Sequence, residues 1–307
     1  MRVSFCCPGL EDTAPWLQGL DEALGEVCTT LWQSGDPPAD YGVVWAPPQQ
    51  FIDEQRQMQV MFSMGAGVDA LLRLELPAGL RVNRLEDAGM GVQMAEYVCQ
   101  AVTRHFRELP VYEAEMAVGQ WRYRVPPSRA SCTVGLLGVG VLGTRVAQAL
   151  QHFEFPVLSW SRTPKALAGV RSFDGEAALP DFLRATQVLV CLLPLTPQTR
   201  GVLNARTFAM LQPGAHVINV ARGGHLVEDD LLAALASGQL SGATLDVFAQ
   251  EPLPAQHAFV GNPKITMTPH VAARTLRSET IRQVAGKIRA LQRGESVSGW
   301  VHKDHGY

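Results

Sequence analysis

Thr133-Val134-Gly135-Leu136-Leu137 runs into Gly138-Val139-Gly140-Val141-Leu142-Gly143, and beyond it Val146, Ala149, Leu150 and Phe153 recur at helical spacing. An apolar run, a glycine turn and an amphipathic helix in that order predict a strand–loop–helix unit. Gly138 permits the tight turn, Gly140 lets backbone approach a pyrophosphate, and Gly143 lets helix pack on strand. Around Val141 and Leu142 the helix start offers N–H groups and a positive dipole end to that anion. Glycine turns are common in isolation, but in this context the stretch predicts dinucleotide binding.

The same punctuation recurs in both directions. The 28 Gly and 20 Pro separate short apolar runs. Strands are expected at Arg2–Cys6, Tyr41–Trp45, Gln59–Phe62, Thr133–Leu137, Val157–Ser161, Val188–Leu193, His216–Val220, Ala243–Phe248 and Lys264–Thr268. Helices are expected at Val92–Glu108, Val141–Phe153, Glu228–Ser237 and Arg274–Arg293, with Gly238 and Gly294 as stops. For 307 residues about two domains are expected. The plan is α/β: a Rossmann-type doubly wound parallel sheet over residues 98–272, plus a smaller, discontinuous flavodoxin-like α/β domain from residues 1–97 and the C-terminal 273–307. Pro126-Pro127 marks a stiff segment just ahead of the glycine loop.

Apolar residues make up 47% and charged residues 18%, enough for a sizeable core and too apolar for a disordered chain. Lys and Arg number 26 against 29 Asp and Glu, which argues against a broadly basic, nucleic-acid-binding surface. The longest apolar stretch, Val188 to Leu193, is far short of a membrane span. Met1 to Leu10 lacks the apolar region of a signal peptide. The 6 cysteines form no CxxC pair and several sit in apolar runs. They are expected to be buried, reduced thiols in a cytoplasmic protein without a metal site.

An acidic residue about 20 positions past the glycines would hold a ribose hydroxyl. Here the chain reads Ser159-Trp160-Ser161-Arg162-Thr163-Pro164-Lys165 instead. A carboxylate would repel a 2′-phosphate, whereas Arg162 and Lys165, with Ser161 and Thr163, would hold one by charge-assisted hydrogen bonds. NADPH is therefore expected over NADH, the plain alternative being an ordinary basic turn.

In open parallel sheets, ligands sit at the carboxyl ends of strands. Cys191-Leu192-Leu193 is followed by Pro194 to Thr199, and Val217 to Val220 by Ala221-Arg222-Gly223-Gly224. Thr244 to Phe248, with Asp246, leads to Glu251-Pro252, and Ile265 to Thr268 leads to Pro269-His270. Arg222, Glu251 and His270 at successive strand ends can supply an anion clamp, an orienting carboxylate and a proton donor. Singly, each has a bland reading as a solvated arginine, a loop start or a polar histidine. The other histidines (His105, His152, His216, His225, His257, His302 and His305) keep that reading, the last two despite a metal-like spacing.

A wider set of segments carries a resemblance. It comprises Val44-Trp45-Ala46-Pro47-Pro48, Met64-Gly65-Ala66-Gly67-Val68-Asp69, Arg84-Leu85-Glu86-Asp87-Ala88-Gly89-Met90-Gly91 and the glycine loop. It continues with Trp160-Ser161-Arg162-Thr163, Asn219-Val220-Ala221-Arg222-Gly223, Glu228-Asp229-Asp230-Leu231-Leu232, Leu245-Asp246-Val247-Phe248, Glu251-Pro252-Leu253-Pro254 and Thr268-Pro269-His270-Val271-Ala272-Ala273. Over nearly its whole length the chain resembles the D-isomer-specific 2-hydroxyacid dehydrogenases, and within them the glyoxylate/hydroxypyruvate reductase A group.

That resemblance implies NADPH-dependent reduction of small 2-oxo acids, glyoxylate to glycolate and hydroxypyruvate to glycerate. Arg222 would bind the carboxylate and polarise the carbonyl, hydride would reach C2, and His270 would protonate the alkoxide. Glu251, hydrogen-bonded to His270, would fix its tautomer and favour the charged ring. Asp246 is the implied acceptor for the nicotinamide carboxamide, with Asn219 and Ala221 near the ring. The family pattern also gives Leu193, Pro194, Thr199, Val220, His270 and Ala272 to the cofactor.

The smaller domain is expected to bind substrate. Gln59–Phe62 runs into Ser63-Met64-Gly65-Ala66-Gly67 and a helix-like Val68 to Leu72, and glycines ahead of a helix start expose N–H groups to a small anion. A simple turn is the plain alternative, and the resemblance favours substrate binding at Ala66, Gly67 and Val68. Trp45 either walls the pocket against bulky 2-oxo acids or packs in the core. Val92–Glu108 and Pro110–Arg124, with Trp121, resemble the family's dimer arm and imply a homodimer. Arg274, Arg277, Arg282, Lys287, Arg289 and Arg293 are expected as a solvated face, or as a weak attractor of acidic substrates. Two other functions stay open: reduction of another 2-oxo acid, such as pyruvate or phenylpyruvate, and a cofactor-gated, corepressor-like binding module.

Overall fold

The computed structural model describes residues 1–302, so His305 lies outside the described residues. The chain divides into two compact units: Gly91–Ala273, and Met1–Met90 joined to the chain from Arg274 onward. The division falls at the start of the helix Met90–Phe106, ahead of the 97/98 boundary expected from sequence. A cut at 97/98 would split that helix, whose Met94, Val98, Cys99 and Val102 share one core with Val134 and Leu136.

Each unit holds a wholly parallel sheet. In the smaller, β1 (Val3–Cys6), β2 (Thr29–Leu31), β3 (Tyr41–Val44), β4 (Val60–Ser63) and β5 (Arg81–Arg84) lie in the order β2-β1-β3-β4-β5. The larger contains β6 (Val134–Leu137), β7 (Val157–Ser161), β8 (Arg171–Asp174), β9 (Val188–Cys191), β10 (Ala215–Asn219), β11 (Leu240–Leu245) and β12 (Ile265–Met267). Their order is β12-β11-β10-β9-β6-β7-β8. The helices are α1 (Ala14–Leu24), α2 (Gln49–Glu54), α3 (Met90–Phe106), α4 (Leu109–Ala117), α5 (Val141–His152), α6 (Gly175–Arg184), α7 (Ala205–Met210), α8 (Glu228–Ser237) and α9 (Arg277–Gln292). Parallel strands need such crossovers, because the chain must return to the same end of the sheet before each new strand.

The cores follow from side-chain alternation. Val188 and Val190 of β9 join one apolar cluster with Val134, Leu136 and Val157, while Leu189 and Cys191 join another with Leu137, Leu158 and Val217. All four β9 residues are fully buried. A strand covered on both faces reads as an unbroken apolar run, which made it visible in the sequence. The strands that sequence patterning missed, β2, β5 and β8, all lie at sheet edges. Thr29-Thr30-Leu31, Arg81-Val82-Asn83-Arg84 and Arg171-Ser172-Phe173-Asp174 carry the polar residues that an edge tolerates.

The larger sheet runs from β6 to β8 in one direction and from β9 to β12 in the other. This reversal puts a switch point at the carboxyl ends of β6 and β9, where open α/β sheets bind ligands.

One expectation for α9 is corrected. Arg274, Arg277, Arg282, Arg289 and Arg293 are exposed, but Lys287 is buried with Val284 and Ile288. Its Nζ donates to Asn83 Oδ1 at 2.8 Å and Arg84 O at 3.1 Å, and lies 3.6 Å from Glu86. Burial pushes its pKa down while Glu86 opposes the shift. No helix among the described residues is long and apolar enough to cross a membrane.

Candidate active site

Gly138 sits at φ +98°, where an L side chain is strained, and an added Cβ would lie 3.0 Å from Leu192 O. The side chain of Leu193, itself buried, flanks the same turn at 3.2 Å. At Gly143 a Cβ would come within 2.3 Å of Gly138 O, so the start of α5 packs directly on the turn. Gly140 is different: a Cβ there would meet nothing within 4 Å. No atom of the described residues requires that glycine, and the space beside it, at the N-terminus of α5 with Val141 exposed and Leu142 half-buried, fits a pyrophosphate.

Past β7, Ser161 is buried and its hydroxyl donates to Thr163 O at 2.8 Å, so it shapes the turn from within. Arg162, Thr163 and Lys165 are exposed. Lys165 Nζ donates to Val139 O at 3.3 Å, which carries a cation from the end of β7 to the glycine loop. Past β9, Thr199 Oγ1 donates to Pro194 O at 2.7 Å and accepts from Thr196 N at 2.9 Å, closing that loop on itself.

β10 delivers Arg222 through a clamp. Asn219 Nδ2 donates to Arg222 O at 3.0 Å, and its Oδ1 accepts from Ala221 N at 3.2 Å. Val220 and Ala221 are buried in this turn. The next residue is Gly223, where a Cβ would lie 1.8 Å from the carbonyl carbon of Phe248. Only glycine allows the segment after β10 to press so closely on the segment after β11. Phe248 N in turn donates to Glu251 Oε1 at 3.0 Å, and Glu251 Oε2 lies 2.8 Å from His270 Nδ1. The Glu251 and His270 side chains are 34% and 43% exposed, within reach of a small molecule.

His270 has φ +55°, a conformation that a residue with a side chain holds only when its surroundings impose it. Asp246, almost wholly buried, imposes it. Its backbone O accepts from His270 N at 2.8 Å, its Oδ1 from Thr268 Oγ1 at 2.6 Å and Val271 N at 2.8 Å, and its Oδ2 from Ala272 N at 2.9 Å. The carboxylate read from sequence as a partner for nicotinamide is thus engaged by the turn that carries His270. Sequence reading missed Gly223 and Thr268 as parts of the site; a glycine directly after a strand-end arginine was the one available signal.

Residues 99–272 match the model of the family described as D-isomer specific 2-hydroxyacid dehydrogenase, NAD binding domain. The chain belongs to the D-isomer specific 2-hydroxyacid dehydrogenase family. It is an oxidoreductase built on a nicotinamide-dinucleotide-binding domain. The dehydrogenase is 47% identical to glyoxylate/hydroxypyruvate reductase A of Serratia proteamaculans and 45% identical to that of Yersinia enterocolitica, over 100% of each chain. Among solved structures, a D-isomer specific 2-hydroxyacid dehydrogenase from Xanthobacter autotrophicus Py2, in complex with NADPH and MES, has a TM-score of 0.94 at 38% identity, covering 100% of this chain and 99% of that one. The NADPH-dependent glyoxylate/hydroxypyruvate reductase of Sinorhizobium meliloti, in complex with NADP and sulfate, has a TM-score of 0.90 at 35% identity over 100% of both.

In the smaller unit of the dehydrogenase, Trp45 meets the loop after β4. Its ring, partly exposed, lies 2.3 Å from where a Cβ of Gly65 would be, so the glycine makes room for the indole. Gly65 N donates to Ser63 Oγ at 3.3 Å. The helix expected from Val68 is corrected: the chain forms only a 3₁₀ turn at Leu71–Arg73, because Leu74 is already extended ahead of Pro77. Val68 packs in the core with Leu71. Ala66 and Gly67 therefore precede no α-helix, and the helix-dipole reason for an anion at that loop falls away.

Proposed function

We propose that this dehydrogenase reduces glyoxylate and hydroxypyruvate to glycolate and glycerate with NADPH. The observation that carries the proposal is the Glu251–His270 pair at 2.8 Å, mounted on a turn that buried Asp246 holds in a left-handed conformation. The names of its full-length relatives support the substrates, and the bound molecules of its structural neighbours support NADPH.

Glu251 accepts from Nδ1–H of His270, which orients the ring and leaves Nε2 for the substrate. His270 enters as the imidazolium and gives the Nε2 proton to the oxygen on C2. Arg222 binds the carboxylate through its planar fork of donors and draws electron density from the carbonyl. NADPH, when bound, supplies the hydride that C2 receives. The carbonyl becomes an alcohol, and His270 is left neutral and still bonded to Glu251. Gly138, Gly140, Val141, Leu142 and Gly143 would cradle the pyrophosphate, and Arg162, Thr163 and Lys165 the 2′-phosphate, around a turn that Ser161 shapes. Leu193, Pro194, Thr199, Val220, Ala221 and Ala272 would border the nicotinamide half, with Asp246 fixing the turn beside it. In the smaller unit, Ala66, Gly67 and Val68 would be the substrate-binding residues, and Trp45, packed beside Gly65, would limit the size of the 2-oxo acid.

The enzyme is a cytoplasmic homodimer in this proposal. Free cysteines, all but Cys7 buried, suit a reducing compartment. For the dimer, α4 buries none of its residues, and Trp121, Tyr123 and Val125 beyond it are 87%, 83% and 84% exposed.

Loss of NADPH absorbance with glyoxylate, hydroxypyruvate, pyruvate and phenylpyruvate, each repeated with NADH, tests the proposal. Turnover of the two small acids with NADPH is expected, with kcat lowered at least ~100-fold in His270→Ala and a raised KM for NADPH in Arg162→Ala. Preference for pyruvate or phenylpyruvate would reassign the substrate. NADPH binding without any turnover would make a cofactor-gated binding module the function, and near-wild-type kcat in His270→Ala would sink the acid assignment.

A further inference from the structure

Tyr97, on α3, stands apart from the Arg–Glu–His trio and from the glycine loop. Its Oη lies 2.5 Å from Thr268 Oγ1, and Thr268 Oγ1 lies 2.6 Å from Asp246 Oδ1. Counting protons fixes the direction of this chain. Asp246 Oδ1 accepts from Thr268, so the single hydroxyl proton of the threonine is spent there. Thr268 Oγ1 has none left to give, and the phenol of Tyr97 must be the donor to it. Burial pushes the Tyr97 pKa up, which keeps that proton in place.

We propose that Tyr97 is a positioning residue for His270, heading a phenol-to-threonine-to-carboxylate relay that locks Asp246 against the turn 268–272. The proposal rests on the function given above, in which His270 delivers the proton. Asp246 accepts from His270 N through its backbone O and from Val271 N and Ala272 N through its carboxylate, so three consecutive N–H groups depend on its placement. Thr268 is the side-chain donor that sets the twist of this carboxylate. Without the phenol, the threonine hydroxyl is free to turn towards local backbone acceptors, as threonine hydroxyls do. The mount is rigid, because Val98 and Val102, on the same helix as Tyr97, are fully buried in the core.

Tyr97→Phe in the full-length protein keeps the ring and removes only the donor. With NADPH and glyoxylate, kcat is expected to fall about five- to tenfold, the scale of one hydrogen bond, while KM for NADPH and Tm stay near wild type. Amide hydrogen exchange at Val271 and Ala272, read without substrate, is expected to quicken. Thr268→Val should match the loss, Thr268→Ser should recover most of it, and Tyr97→Phe added to Thr268→Val should cost nothing further. Additive losses, or unchanged exchange at both amides in Tyr97→Phe, would overturn the relay. If wild type reduces no 2-oxo acid, the proposed function falls, and the exchange result still decides the relay by itself.

Discussion

His216, on β10, stacks against His105 of α3 with ring centres 4.5 Å apart, and its Nε2 lies 3.0 Å from Thr244 Oγ1. Its buried Nδ1 has no hydrogen-bond partner among the described residues. Burial, reinforced by His105, pushes the His216 pKa down to about 3, and burial lowers His105 as well. The folded chain therefore keeps this ring neutral, while the unfolded chain takes up a proton near the ordinary value of about 6.5. Between those two values the unfolded state binds more protons, so stability rises with pH and is lost as acid is added. From pH 7 to pH 5 the loss from His216 is on the order of 2 kcal/mol. Urea midpoints should fall over that interval in wild type and fall less in His216→Leu; equal falls would reject the assignment. Nothing in the sequence marks His216 as different from the other histidines, because its shift comes from burial and from a ring contributed by another element.

At the scale of elements, the glycine loop divides into a part that the protein requires and a part that it leaves open. Gly143→Ala would collide with Gly138 O and should lower Tm, whereas a Cβ at Gly140 meets no protein atom within 4 Å. Gly140→Ala is expected to keep wild-type Tm and to weaken NADPH binding at least tenfold, about 1.4 kcal/mol, in a fluorescence titration. Unchanged affinity would show that the pyrophosphate does not approach there. The loop and its flanking strand were readable in the sequence because glycine spacing and an unbroken apolar run are local signals. The edge strands β2, β5 and β8 were not, since an edge strand owes its place to the neighbour it pairs with. The 3₁₀ turn at Leu71–Arg73 stood where a helix was expected, since apolar spacing over so few residues does not separate the two.

For the whole molecule, the segment after α3 is held in shape yet left uncovered. Arg104 donates to both carboxylate oxygens of Glu113 at 2.6 and 2.5 Å, and Arg124 to those of Glu108 at 2.7 and 3.1 Å. Trp121, Tyr123 and Val125 nonetheless stay exposed, and they are the apolar surface that the proposed homodimer would cover. α3 and α5 of the same unit line an apolar groove with Val92, Ala95, Cys99, Phe106, Ala149 and Phe153, so a second copy is the occupant we expect. Sedimentation velocity should show a dimer for wild type and a monomer for Trp121→Ser combined with Val125→Ser. A wild-type monomer at micromolar concentration would exclude the homodimer.

By itself the sequence determined the central strands, the glycine loop and the order Arg222, Glu251, His270. Strands buried on both faces demand apolar runs, and a phosphate turn demands glycine. Only the tertiary structure decided what holds those residues in place. Gly223 against Phe248, Asp246 against the turn 268–272, and Tyr97 against Thr268 join segments that lie far apart in the chain. No local spacing records such contacts, because each depends on which strand end or helix the fold brings alongside.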